Sequence, residues 1–122
     1  MVTNMGRKLI ENHNECPITH SMNIIGNKWT SIIVYVLANR KLRFGELAIR
    51  IDKISRKVLS NQLKEMELRG IVNRKSYAET PPRVEYSLTK KGEDLLPILN
   101  QLCAWSKNID LEPHDEKGRS VS

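Results

Sequence analysis

No apolar run in this 122-residue chain approaches the ~18 residues of a membrane span, and its opening stretch (MVTNMGRKLIENHNE) lacks a signal peptide's apolar segment. A cytoplasmic setting is therefore expected. Cysteine is scarce: Cys16 and Cys103 lie far apart in the sequence, which reads as two reduced thiols rather than a structural disulfide. The three histidines form no metal-ligand spacing; Cys16 and His20 are four apart, but two ligands do not make a site. No Gly-rich phosphate loop and no nucleophile–base pattern is present, so neither an enzyme nor a cofactor is expected. There are no internal repeats. The length suits one hydrophobic core and not two.

What the chain does have is positive charge with a location. Residues 40–91 carry 14 Lys+Arg against 6 Asp+Glu, while the other 70 residues carry 6 against 8. A charge excess confined to one block reads as an electrostatic footprint for a polyanion.

That block has an ordered pattern. Ahead of it, Pro17 opens a helix that Gly26 stops, and Trp29, Ile32, Ile33, Val36 and Leu37 recur with helical periodicity. This second helix is expected to be the central core helix, with Trp29 as a core anchor. Arg40–Arg43 suits a small strand. Phe44, Leu47, Ala48 and Ile51 give a two-turn helix, and Ser55 caps a helix from about Arg56 to Arg69 that closes on Gly70. Two short helices joined by such a turn have helix-turn-helix spacing. Residues 71–77 and 83–88 read as strands around a loop stiffened by Pro81 and Pro82. Thr89 then caps a last helix, which Pro97 is expected to kink or break. The fold class is mainly α with a small β-hairpin wing (α+β), a winged helix-turn-helix. Residues 1–14 are expected to be a flexible segment, 15–110 the domain, and 111–122 a disordered tail.

On a helical wheel, Leu59, Leu63 and Met66 fall within about 60° of one another and face the core. Lys57, Ser60, Asn61 and Lys64 fall within about 100° on the other side with no acid among them, Glu65 lying outside that arc and Glu67 at its margin. Lysine donates to phosphate or guanine, asparagine grips adenine in a bidentate pair, and serine serves either. These four, with Arg56 in the first turn, are the candidate DNA-reading residues of the recognition helix. Arg74, Lys75 and Arg83 on the wing, and Arg43 on its flank, suit backbone or minor-groove contact. Arg40 and Lys41 suit phosphates at the edge. The alternative is a winged-helix module binding an acidic protein, but an uncharged Ser60–Asn61 pair amid lysines suits base edges better.

These residues resemble the HxlR-type family of bacterial winged-helix transcriptional regulators, related to the MarR group. The resemblance covers about residues 16–107 and rests on Cys16-Pro17-Ile18, Gly26-Asn27-Lys28-Trp29-Thr30, Arg43-Phe44-Gly45-Glu46-Leu47 and Pro81-Pro82-Arg83-Val84-Glu85-Tyr86-Ser87-Leu88-Thr89. It implies a homodimer reading a pseudo-palindromic stretch of double-stranded DNA, as a repressor in the leading expectation. It also implies dimerisation through the N- and C-terminal helices. Leu95, Leu99, Leu102, Trp105 and Ile109 of the last helix are the candidate interface, being more apolar residues than one face of a small domain covers. Some family members sense electrophiles or oxidants through the cysteine matched by Cys16, which makes it the candidate redox sensor. A small-molecule effector is the other expected partner.

Overall fold

The computed structural model describes residues 9 and 11–109. Most of the segment 1–14, and all of the expected tail 111–122, lies outside the described residues. After one 3-10 turn (His13–Glu15) come helices α1 (Pro17–Ile25) and α2 (Lys28–Val36), then strand β1 (Leu42–Arg43). Helices α3 (Phe44–Arg50) and α4 (Arg56–Leu68) follow, then strands β2 (Val72–Tyr77) and β3 (Arg83–Leu88), and last helix α5 (Lys90–Lys107). The strands form one antiparallel sheet in the order β1-β3-β2. Among the described residues no helix is long and apolar enough to cross a membrane.

The helices start where local chemistry allows. Pro17 occupies the first turn of α1, where its missing N–H has no intrahelical partner to lose. The Asn27 side chain accepts from the Trp29 N–H at 2.9 Å, and Ser55 Oγ accepts from the Val58 N–H at 3.0 Å. Between α3 and α4 the chain turns through Lys53 at φ 63°, a left-handed residue that sharpens the connection. The α3–turn–α4 unit and the β2–β3 hairpin behind it are the expected winged helix-turn-helix.

One detail departs from expectation. Trp29 is half-buried, at the rim of the core, with the Lys28 ammonium 4.7 Å from its ring centroid. The fully enclosed residues of this segment are Ile33, Val34 and Leu37. A helix that is apolar on most of its circumference does not reveal which stripe faces inward until neighbours are docked. Helix α5 runs unbroken for 18 residues through Pro97, and Leu95 and Leu96 before the proline and Leu99 after it all pack on the core, so burial on both sides offsets the lost backbone hydrogen bond.

Three elements meet at one junction. Helix α4 ends and turns through Gly70 at φ 74° into β2, and there the first turn of α5 docks. Thr89 Oγ1 donates to the Gly70 carbonyl at 2.6 Å, with the Ile71 carbonyl also in reach at 3.1 Å; the Thr89 N–H donates to Ile71 O at 3.0 Å. The same hydroxyl accepts from the Gly92 N–H at 3.1 Å, capping α5, and Lys91 Nζ donates to the Arg69 carbonyl at 2.8 Å. Gly92 is buried, and a Cβ there would run into the Ile71 carbonyl oxygen.

The two glycines are needed for different reasons, which urea denaturation can separate. Gly92→Ala should destabilise by about 1–3 kcal/mol through overpacking. Gly70→Ala should lose about 1–2 kcal/mol through backbone strain alone, since nothing lies within 4 Å of a Cβ there. Gly70→Asn should be milder than Gly70→Ala, because asparagine tolerates the left-handed region; equal losses would remove the strain account. Thr89→Val should cost about 0.5–2 kcal/mol as a lost cap, with the cost falling on α4 as well as α5.

Candidate nucleic-acid interface

Helix α4 buries Leu59, Leu63 and Met66 completely, and this fixes what its other side presents. Lys57, Asn61 and Lys64 are exposed and Ser60 is half-buried beside them. Among the described residues, Lys57 and Lys64 have no ion-pair partner. Glu65, one residue beyond the arc, is held on its own helix by Arg69 at 3.0 Å. The exposed Arg56 guanidinium lies 5.7 Å from the Phe44 ring centroid, so α3 supports the first turn of α4. A polar tie crosses from the core: buried Thr30 on α2 donates to Gln62 Oε1 at 3.4 Å.

Register divides the wing's cations between two faces. In an antiparallel sheet, directly opposed residues share a face and successive residues alternate. Leu42 pairs with Tyr86 and Arg74 pairs with Tyr86, so these three form one row. Arg74 and Tyr86 line a polar cleft with Ser60, Lys64 and Glu67 of α4, so Arg74 is on the recognition-helix side. The next row is Arg43, Glu85 and Lys75, which places Arg43 and Lys75 on the other face with an acid between them. The nine candidate DNA contacts therefore do not form one surface. Arg74 joins the α4 group, while Arg43 and Lys75 stand behind the sheet.

Arg83 differs from both. It is half-buried at the last pair of the hairpin, opposite Tyr77, with its guanidinium 4.0 Å from the Tyr77 ring centroid. It is also 3.2 Å from Glu79. Arg40 is likewise engaged, its Nη1 donating to the Val36 carbonyl at the end of α2 at 3.2 Å. Two of the basic residues that composition offered to a polyanion are thus already in use within the fold. The aromatic partner, Tyr77, carried no weight in the sequence reading; its placement as the residue opposite Arg83 was the available signal.

The last helix also divides. Leu99 is 4% exposed, packed into the core of its own chain with little surface left to offer a partner, while Leu95 is half-buried against the same core. Trp105 remains 62% exposed and Leu102 and Ile109 are exposed as well, joined by Ile98, which the sequence reading did not single out. On α1, Ile18 and Met22 are exposed.

Both cysteines are free thiols. Cys16 is half-buried at the N-cap of α1, where its carbonyl accepts from the His20 N–H at 3.0 Å. Cys103 is exposed on α5 and lies 3.1 Å from the Tyr35 hydroxyl, which also donates to Asn100 Oδ1 at 2.7 Å. The Cys103 hydrogen bond, helped by burial and by the thiolate's charge, raises the Tyr35 phenol above its ordinary value.

Comparison with known proteins agrees with this geometry. The family described as HxlR-like helix-turn-helix matches residues 24–113. BH0655 of Halalkalibacterium halodurans, an uncharacterised HTH-type transcriptional regulator, is 47% identical over 97 residues, which is 79% of this chain and 86% of that protein. The redox regulator HypR in its oxidised form is similar in structure, with a TM-score of 0.71 at 40% identity over 79% of this chain and 100% of its own. The reduced form of the transcriptional regulator YodB from B. subtilis gives a TM-score of 0.72 at 38% identity, over 82% of this chain and 98% of its own. A helix-turn-helix with a basic wing, matched by one family over most of its length, makes this chain a member of the HxlR-like helix-turn-helix family and a transcriptional regulator of the HxlR/MarR type.

Proposed function

We propose that the chain represses transcription as a homodimer by reading a pseudo-palindromic DNA operator, with α4 in the major groove and the β2–β3 hairpin against the flanking backbone. The observation that carries this reading is the arc of α4 where exposed Lys57, Asn61 and Lys64 flank Ser60, the two lysines having no ion-pair partner among the described residues and Glu67 lying only at its margin. Asn61 and Ser60 supply base-edge hydrogen bonds and the lysines supply guanine or phosphate contacts. Arg74, across the polar cleft from Lys64, is the wing residue best placed to follow the same duplex. Arg43 and Lys75 would meet backbone from the other face of the sheet.

Support for a dimer comes from apolar surface that the chain leaves open. Ile98, Leu102, Trp105 and Ile109 at the end of the chain's described part, with Ile18 and Met22 on α1, need a lid that a second copy supplies. Half-sites would then lie ~34–36 Å apart or a multiple of it. A thiol-responsive role is the third part of the proposal. HypR is a redox regulator solved in oxidised and reduced forms, and Cys16 is a free, half-buried thiol at the N-cap of α1.

Binding to duplex from the chain's own promoter region should fall ~10³–10⁵-fold between 50 and 200 mM salt, the mark of ~6–10 phosphate contacts. Affinity indifferent to salt, or equal for random DNA, would be incompatible with the proposal. Asn61→Ala or Lys57→Ala should cost ~1–3 kcal/mol on the preferred sequence and relax its preference. Arg74→Ala should weaken all sequences about equally. For the thiol reading, binding by Cys16→Ser should resist a mild oxidant or quinone that releases the parent protein; equal release of both would eliminate Cys16 as the sensor.

A further inference from the structure

The wing tip holds a small cluster whose chemistry is at odds with simple phosphate binding. Tyr77 and Arg83 form the last cross-strand pair before the loop 78–82. The Arg83 guanidinium lies 4.0 Å from the Tyr77 ring centroid, and its Nη2 is 3.2 Å from Glu79 Oε1. A backbone hydrogen bond from the Glu79 N–H to the Tyr77 carbonyl, at 2.9 Å, turns the chain so that the carboxylate can reach back to Arg83. The Arg83 side chain keeps 27% of its exposure, and its Nε is buried with no partner. Lys75, two residues earlier on the same face, has its ammonium 5.0 Å from the same Tyr77 ring.

A residue selected to meet phosphate keeps its donors in water and is seldom paired with an acid on the DNA side. Arg83 does the reverse: its Nη2 is ion-paired with a carboxylate, its Nε is buried, and the guanidinium lies over an aromatic ring. We propose that Arg83, Tyr77 and Glu79 form a clamp that fixes the shape of the wing tip. In this arrangement Arg83 is a positioning residue, and Lys75 is the cation it positions, through the ring they share. The clamp itself stands on the fold; its role in DNA affinity rests on the operator-binding reading above.

The sign of one substitution separates this from direct contact. If Arg83 only touches phosphate, Glu79→Gln removes a negative charge near DNA and tightens binding, and Arg83→Lys binds like the parent. If the clamp positions the wing, Glu79→Gln and Arg83→Lys each weaken binding several-fold at fixed salt. Tyr77→Phe keeps the ring and stays within about twofold of the parent. The DNA-free protein supplies a second arm: amide hydrogen exchange at residues 78–80 and 83 should accelerate about tenfold or more in both variants, with exchange in α2 and α4 unchanged. Unchanged exchange at the tip overturns the clamp. Faster exchange with parental or tighter DNA affinity overturns the positioning role. Should the parent protein show no sequence-specific DNA binding, the operator reading and this role in affinity fall together, and the exchange arm alone decides the clamp.

Discussion

The winged domain depends on one backbone junction, where Thr89 reaches the carbonyls of Gly70 and Ile71. At this point the recognition helix has just ended, the sheet is about to start, and the first turn of α5 arrives. Carbonyls at a helix end and at the mouth of a sheet need partners when buried. The α5 cap supplies them with its own hydroxyl and N–H, while the same hydroxyl satisfies Gly92. Close approach at this point requires Gly92 to lack a Cβ, and the turn into it requires Gly70 to take a positive φ. The angle between α4 and the hairpin, on which any two-part grip of a duplex relies, is therefore set by contacts remote from the basic surface.

The positive charge of residues 40–91 is less uniform than its sum suggests. Arg40 closes the end of α2, Arg69 pairs with Glu65, Lys91 caps the Arg69 carbonyl, and Arg83 is held by Tyr77 and Glu79. These residues use their charge on the fold. Lys57 and Lys64 keep theirs without an ion-pair partner among the described residues, and Arg74 keeps an exposed guanidinium beside the α4 cleft. A net charge fixes how strongly a surface attracts a polyanion at a distance, but only unpaired groups can replace the counterions that binding releases.

Much of the fold was legible because its signals are local. Ser55, Gly70 and Thr89 mark helix ends through side-chain and backbone chemistry that acts within four residues, and all three do so in the structure. The core side of α4 was legible too, since Leu59, Leu63 and Met66 share one narrow stripe of a largely polar helix, from which Leu68 is left exposed. Helix α2 defeated the same reasoning at Trp29, because a helix apolar on most sides gives periodicity without a direction. Pro97 does not break α5 in two, because the burial of Leu95, Leu96 and Leu99 offsets its local penalty.

By itself, then, the sequence determined the order of elements, the helix-turn-helix with its hairpin, and the block where basic groups concentrate. These follow from caps, periodicity and charge, which act over a few residues along the chain. Tertiary structure alone decided which cations are free, because that depends on cross-strand register and on partners distant in sequence or folded back by a turn. It put Arg74 beside the recognition helix and Arg43 and Lys75 behind the sheet. It drew Leu99 into the chain's own core while leaving Leu102, Trp105 and Ile109 outside. A one-residue step along a strand reverses the face a side chain occupies, and the sequence becomes definite about that face only once its neighbours are in place.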